Sequence, residues 1–284
     1  MRRTRKYTFK NTRLLALYIW LVVLFFISIL INMWKKSNDS KSESTYFMGK
    51  SLSICGDSIS TFTGYIPYDY DKCYPEKGQI LDVNDTWWMQ VIKKTGMKLC
   101  SNASFSGSTV SGEADDMESG RWACGNRRIS DLAGNTGEEP DIILILMGTN
   151  DLVSCIPLGN DNNYYIGGGY ISNFSEAYAL MLDKIIERYP EAQIFCCTII
   201  EVGKWDEEGN CFCWKNDYGL TAKDYNKCIK EIADEKKLKI IDVYNCGITY
   251  KNIRQYTSDG CHPNVEGMNL IAETVYEGLI GSVK

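Results

Sequence analysis

Apolar positions fall into two kinds of run along the 284-residue chain. Near the start, residues 14–34 (LLALYIWLVVLFFISILINMW) make 21 consecutive positions without a charge, enough to cross a bilayer as a helix. Further on, short and nearly continuous apolar runs alternate with longer amphipathic ones. SLSICG (51–56), MKLCSNAS (97–104), DIILILMG (141–148), AQIFCCTII (192–200) and LKIIDVY (238–244) read as strands. Strands of that kind are covered on both faces, which predicts a parallel sheet. Helical periodicity lies between them, around 85–95, 173–189 and 221–236, and again after Pro263. There Val265, Met268, Ala272, Val275 and Leu279 recur at steps of three and four and form one apolar stripe. Alternating strands and helices predict an α/β fold, a three-layer α/β/α sandwich with about five parallel strands and right-handed crossovers.

The first run sets a different organisation at the N-terminus. Residues 1–13 are basic, with Arg2, Arg3, Arg5, Lys6, Lys10 and Arg13 and no acid. A cleavable signal would have a shorter apolar core with small residues at its end, whereas this one closes on Asn32, Met33 and Trp34. The expectation is an uncleaved transmembrane helix over 14–34, the N-terminus cytoplasmic and the rest extracytoplasmic. Residues 35–50, including SNDSKSES, read as a polar linker, and 51–284 as one domain with no internal repeat.

Composition adds that 44% apolar and 24% charged residues describe an ordinary folded chain. The first 36 residues hold eight of the 31 Lys+Arg and none of the 36 Asp+Glu, so the remainder carries 23 against 36, formally −13. A domain that acidic is a poor nucleic-acid binder. Twelve cysteines permit disulfides outside the membrane without showing which would form. Cys55, Cys196 and Cys197, inside strand-like runs, read as small buried hydrophobes. Cys211-x-Cys213 lacks the two further ligands that a tetrahedral zinc site needs, and no structural zinc is expected.

Ligand chemistry in parallel sheets gathers at the carboxyl ends of the strands. After the first strand stand Gly56, Asp57 and Ser58, where the serine is either a nucleophile or a plain N-cap. The sequence is not a G-x-S-x-G elbow, because Ser60 occupies the second glycine position. After the second comes SFSGSTVSG, which is either an ordinary Gly/Ser loop or one in which Gly107 brings its N–H close to a ligand. After the third comes MGTND, where the Asn150 amide is either an uncharged donor to an oxyanion or an Asx-turn side chain. After the fifth come Asp259-Gly260-Cys261-His262-Pro263. Pro263 suits the first position of the last helix, placing His262 at the helix mouth. His262 is the chain's only histidine, so imidazole acid–base chemistry has one possible location. Asp259, three residues earlier, can fix its tautomer. An unperturbed imidazole would make activity rise with pH around about 6.5.

These blocks resemble the SGNH, or GDSL, hydrolase family. Gly56-Asp57-Ser58-Ile59-Ser60 matches the first block, with isoleucine in place of the common leucine. Gly107 matches the glycine block, Gly148-Thr149-Asn150-Asp151 the asparagine block, and Asp259-Gly260-Cys261-His262-Pro263-Asn264 the last. The likeness runs from about 51 to 280 and leaves out the apolar N-terminal run and the loop 64–84. It implies a flavodoxin-like sheet, Ser58 as nucleophile, His262 as base then acid, and Asp259 as its partner. It also implies an oxyanion hole from the Ser58 and Gly107 N–H groups and the Asn150 amide, and ester hydrolysis through an acyl-enzyme.

The loop GYIPYDYDKCYPEKGQILDVND, with Tyr65, Tyr68, Tyr70 and Tyr74, is either a platform for sugar faces or aromatic packing onto the domain. Removal of short acyl groups, O-acetyl first, from an acylated small molecule or glycan is the expected function. A lysophospholipase, lipase or acyltransferase with the same residues, or a non-catalytic anchored glycan-binding protein, are the alternatives.

Overall fold

The computed structural model describes residues 16–30, 45–75, 79–159 and 169–283. The chain divides into two units, Met1–Tyr46 and Phe47–Lys284. In the first, residues 16–30 are helical. Among the described residues no helix is long and apolar enough to cross a membrane. The predicted span 14–34 is described only over those helical positions, about 22 Å at about 1.5 Å per residue. Residues 14, 15 and 31–34, like the basic head and most of the linker, lie outside the described residues.

In the second unit the five predicted strands form one parallel sheet: β1 (Ser51–Gly56), β2 (Lys98–Asn102), β4 (Ile142–Leu146), β6 (Gln193–Cys197) and β9 (Lys239–Ile241). Their order is β2-β1-β4-β6-β9. The chain steps from β1 to one side, then returns to the other side for β4, so the order reverses between β1 and β4. That reversal opens a crevice at the carboxyl ends of these two strands. β1 and β4 are buried throughout, while the edge strands β2 and β9 each have exposed positions.

Side-chain alternation assigns the two faces. On β4, Ile143 and Ile145 join a core with α4 (Phe174–Arg188) and α5 (Ala222–Glu235). Ile142, Leu144 and Leu146 join the opposite core with α1 (Trp87–Thr95) and α7 (Val265–Gly281). Because the strand period is two, one apolar run supplies both cores. Cys55 and Cys196 lie in the first core and Cys197 in the second, as small buried residues. All twelve cysteines carry free thiols.

The helices start where local chemistry satisfies their first N–H groups. The Thr86 side chain caps α1, the Asn173 side chain accepts from Glu176 N at 3.0 Å, and Thr221 with Asp224 closes a capping box on α5. Shorter elements escape periodicity: α2 (Asn126–Ser130), α3 (Thr149–Val153) and α6 (Ile253–Tyr256), with two small antiparallel sheets. One pairs β3 (Gly112–Glu113) with β5 (Tyr170–Ile171), the other β7 (Gly203–Trp205) with β8 (Cys211–Cys213). Cys211 and Cys213 thus flank Phe212 on a hairpin strand, and among the described residues no group of three or more His, Cys, Asp or Glu could hold a metal.

Candidate active site

β1 ends at Gly56, and the chain turns into a short 3-10 helix over Ser58–Ser60. Its cap is Asp57, whose Oδ1 accepts from Ile59 N at 3.0 Å. Ser58 is therefore not spent as an N-cap, and its hydroxyl lies 2.9 Å from His262 Nε2. The other ring nitrogen, Nδ1, lies 2.6 Å from Asp259 Oδ2. Segments 204 positions apart thus meet over the crevice.

The histidine loop is fastened from several sides. Asp259 Oδ1 accepts from Cys261 N at 3.0 Å and from His262 N at 2.8 Å, so one carboxylate both shapes the loop and orients the ring. Ser258 N donates to His262 O at 2.9 Å, Thr257 bridges Pro263, and Tyr74 OH donates to Pro263 O at 3.0 Å. This corrects one expectation. Pro263 is not the first helical residue: α7 starts at Val265 behind Asn264, whose side chain accepts from Gly267 N at 3.0 Å. Asn264 brings a side-chain acceptor that proline lacks, so it takes the cap, and His262 sits on a tight hairpin ahead of the helix.

Charge and burial act on the pair in opposite senses. Burial works against a charged His262, but the hydrogen bond and charge of Asp259, with Cys73 beside the ring, outweigh it and hold the imidazole well above its ordinary value. Burial likewise opposes ionisation of Asp259, yet the His262 contacts hold that carboxyl well below its usual range. The expected rise in activity around about 6.5 is thereby displaced to higher pH. With the ring neutral, Nδ1–H donates to Asp259 and Nε2 is left to accept the Ser58 proton.

The second and third strand ends converge on the same place. Gly107 has φ +77°, in the left-handed region, and a Cβ there would meet nothing within 4 Å. Among the described residues neither the Gly107 nor the Ser58 amide donates a hydrogen bond within the protein. Gly148, at φ +125°, turns the chain off β4 where a Cβ would press within 3.2 Å of the Phe174 ring. Asn150 Nδ2 donates to Ser108 O at 2.9 Å, so the amide reaches across to the glycine loop. An NH₂ group has two protons, and one remains to face the crevice.

Three further side chains escaped the strand-end reading. Asp151, fully buried, accepts from Val110 N at 2.8 Å, Ser111 N at 3.1 Å and Ser111 Oγ at 2.7 Å. Burial pushes its carboxyl up to about 6 against those bonds. Asp57 is equally buried. Burial raises its carboxyl, and its Oδ2 has no partner among the described residues. Arg128 lies under the site, with no sequence signal at all. For Asp151 the one signal in the sequence is its adjacency to Asn150.

Residues 50–279 match the family described as GDSL-like lipase/acylhydrolase. Two solved proteins described as GDSL-like lipases share the architecture. That from Bacteroides ovatus is 27% identical, covers 81% of this chain and 97% of its own, and has a TM-score of 0.57. That from Bacteroides uniformis is 26% identical, covers 81% and 94%, and has a TM-score of 0.57. A catalytic mutant of an acetylxylan esterase from Geobacillus stearothermophilus, at 18% identity, 82% and 94% coverage and a TM-score of 0.51, shares the fold. No curated protein matches the chain.

Proposed function

The chain belongs to the GDSL-like lipase/acylhydrolase family and is a serine hydrolase; from that premise we propose that it removes short acyl groups, O-acetyl above all, from glycans, with Ser58, His262 and Asp259 as its triad. The observation that carries the proposal is the unbroken run of hydrogen bonds from Ser58 Oγ through His262 to Asp259, at 2.9 and 2.6 Å. In the first step His262 Nε2 takes the Ser58 proton as Oγ bonds to the ester carbonyl carbon. The carbonyl oxygen becomes an oxyanion, met by the N–H groups of Ser58 and Gly107 and the Asn150 amide. His262 then gives its proton to the leaving alcohol as the C–O bond breaks, and water repeats the sequence on the acyl-enzyme. Asp259 stays ionised and stabilises the imidazolium. No metal or organic cofactor enters these steps.

Burial supports the short acyl group. Of the apolar group after Asp151, Leu152 is wholly inside the core and Ile156 and Leu158 pack against it, which leaves Val153 as the exposed member, too little to line a long tunnel. A long chain would forgo roughly 0.8 kcal/mol per uncovered methylene. The sugar reading has support from the loop after the nucleophile. Tyr70 and Tyr74 are buried and fasten that loop, which is the packing reading for those two. Tyr65 is partly open and Tyr68 is 98% exposed. Both line a cavity of about 830 Å³ along edge strand β2, together with Asp69, Asn102, Arg127 and Asp131. Aromatic faces beside balanced charges and an amide suit a neutral sugar by stacking and hydrogen bonding.

The test is a p-nitrophenyl ester series on the full-length chain with Ser58→Ala as blank, extended to acetylated xylan. kcat/KM is expected to fall beyond about four carbons. A maximum at about eight or longer would replace the deacetylase reading with a lipase one.

A further inference from the structure

Arg128, on α2, takes no part in the proton transfers above, yet its environment is costly without a purpose. It is 0% exposed, and among the described residues no carboxylate hydrogen-bonds or ion-pairs with it. A guanidinium does not deprotonate inside a protein, so a full positive charge is buried here. Such a charge is tolerated only where hydrogen bonds and nearby fields offset the lost hydration. Nη1 donates to Gly120 O at 2.6 Å, and Nη2 donates to both Gly56 O at 2.7 Å and Ser108 Oγ at 2.9 Å. Nε has no partner. The guanidinium carbon lies 5.5 Å from the Tyr70 ring centre and 5.9 Å from that of Phe105, near the range where aromatic faces attract a cation.

The acceptors of Nη2 define its reach. Gly56 ends β1, two residues before Ser58, and Ser108 follows Gly107 directly. Ser108 is held at both ends, its hydroxyl by Arg128 and its carbonyl by Asn150. One nitrogen therefore joins the segment that carries the nucleophile to the segment that carries the second oxyanion donor, and through Ser108 to the third. We propose that Arg128 is a positioning residue for hydrolysis: it helps to fix the Gly107 and Asn150 donors relative to Ser58, and its charge, with no hydrogen-bonded counter-ion, favours negative charge at the oxyanion. The proposal rests on the assignment of Ser58, Gly107 and Asn150 above.

The effect belongs to the transition state, when the oxyanion exists, and not to ester binding. Arg128→Met keeps an unbranched apolar stem and removes the fork and the charge. It is expected to lower kcat by roughly 100-fold while KM stays within about threefold. Phenylboronic acid supplies a readout that a purely structural role would not move, because Ser58 Oγ bonding to boron creates a tetrahedral anion in the same hole. Its inhibition constant should weaken by about the same factor as kcat/KM. Arg128→Lys, with the charge but not the fork, should recover about tenfold of the loss.

A folded Arg128→Met protein with kcat and boronate inhibition within about threefold of wild type would overturn the proposal. So would Arg128→Lys being no better than Arg128→Met, for the charge. If neither variant folds, Ser108→Ala decides: a loss of about three- to tenfold in kcat with matching boronate weakening supports the tie, and unchanged values refute it. Wild-type protein with no Ser58-dependent hydrolysis and no boronate binding would remove the triad assignment itself. Normal values of both with unaffected Arg128 and Ser108 variants would remove this inference alone.

Discussion

Having a single histidine turns the central electrostatic statement into one that a single resonance can report. Asp259→Asn keeps the side chain's size and removes the charge, and its single amide oxygen can serve either the backbone N–H groups or the ring Nδ1–H. At an Nδ1–Oδ2 distance of 2.6 Å the charge centres are about 4 Å apart. With an effective dielectric constant of about 20, Coulomb's law gives roughly 4 kcal/mol, or about three units of pKa, as an upper bound. The Asp259 side chain is 51% exposed, so water screens much of this, and a shift of roughly one to two units is the expectation. Burial of His262 remains in the variant and now acts unopposed by that charge. The midpoint should therefore start above about 6.5 in the wild type and fall to about 6.5 or below in Asp259→Asn.

The assay is an NMR titration of imidazole-labelled full-length protein, which gives one set of ring signals without assignment. The acid limb of kcat/KM should follow the wild-type midpoint. Stability carries the same sign. His262, raised on folding, contributes stability that is present below about 6.5 and lost as pH rises through its folded value. Asp259, lowered on folding, contributes stability present above about 3.9 and lost as pH falls. The gap in Tm between wild type and Asp259→Asn should be widest between about pH 4 and 6.5. A wild-type midpoint at or below 6.5, or one that Asp259→Asn leaves in place, would refute the reasoning.

Other expectations follow from single contacts. Asn150→Ala should lower kcat by roughly 100- to 1000-fold, measured on p-nitrophenyl acetate, and a loss under about fivefold would leave Asn150 a mere support for Ser108. Asp151→Asn would turn an amide donor toward the N–H groups of Val110 and Ser111, so kcat should drop about tenfold or more and Tm should fall; unchanged values in both would show that those bonds do not hold the glycine loop. Tyr68→Ala should raise KM for acetylated xylan several-fold and leave p-nitrophenyl acetate within about twofold, whereas equal effects on both would detach the β2 cavity from glycan binding. The basic head and the uncharged 14–34 run predict membrane retention with residues after about 45 open to added protease on intact cells, and release by carbonate washing would contradict it.

The sheet could be read from the sequence because two-sided burial leaves a strong trace. Four of the five strands are short apolar-rich runs closed at or just after their ends by Gly, Asn or Asp, β6 alone running on into Thr198, and the four long helices carry a 3.6-residue stripe. Their ends were less legible. The fifth strand stops at Ile241 and not at 244, because Val243–Asn245 winds into a 3-10 turn that hydropathy does not distinguish from a strand. The two-residue strands β3 and β5 pair Gly112 with Ile171, a contact settled by tertiary packing and too short for any period.

For the site, the division runs between what faces the crevice and what lies beneath it. Ser58, Gly107 and Asn150 each stand within a few residues of a strand end, so finding the strand ends finds them; His262 lies beyond β9 and α6 and is legible as the only histidine, and the structure sets its ring against Ser58. Asp259 comes with His262 because a three-residue spacing lets one carboxylate reach both the backbone N–H and the ring. Arg128 obeys no such rule. It belongs to a five-residue helix, follows another arginine, and by composition alone would be assigned to solvent, as its neighbour Arg127 is when it pairs with Asp69 at 2.7 Å near the surface. Which of two adjacent arginines points inward depends on Gly56, Ser108 and Gly120 presenting oxygens to the same spot, and those three come from the end of β1 and from two separate stretches ahead of α2. Acceptors gathered from distant segments leave no local pattern, so a buried charge of this kind is visible only after the chain has folded. The same remoteness explains why its removal should be felt in kcat: a group that touches three segments at once helps to set their relative positions, beside the Phe105 N–H bond to Gly56 O and the Asn150 amide bond to Ser108 O.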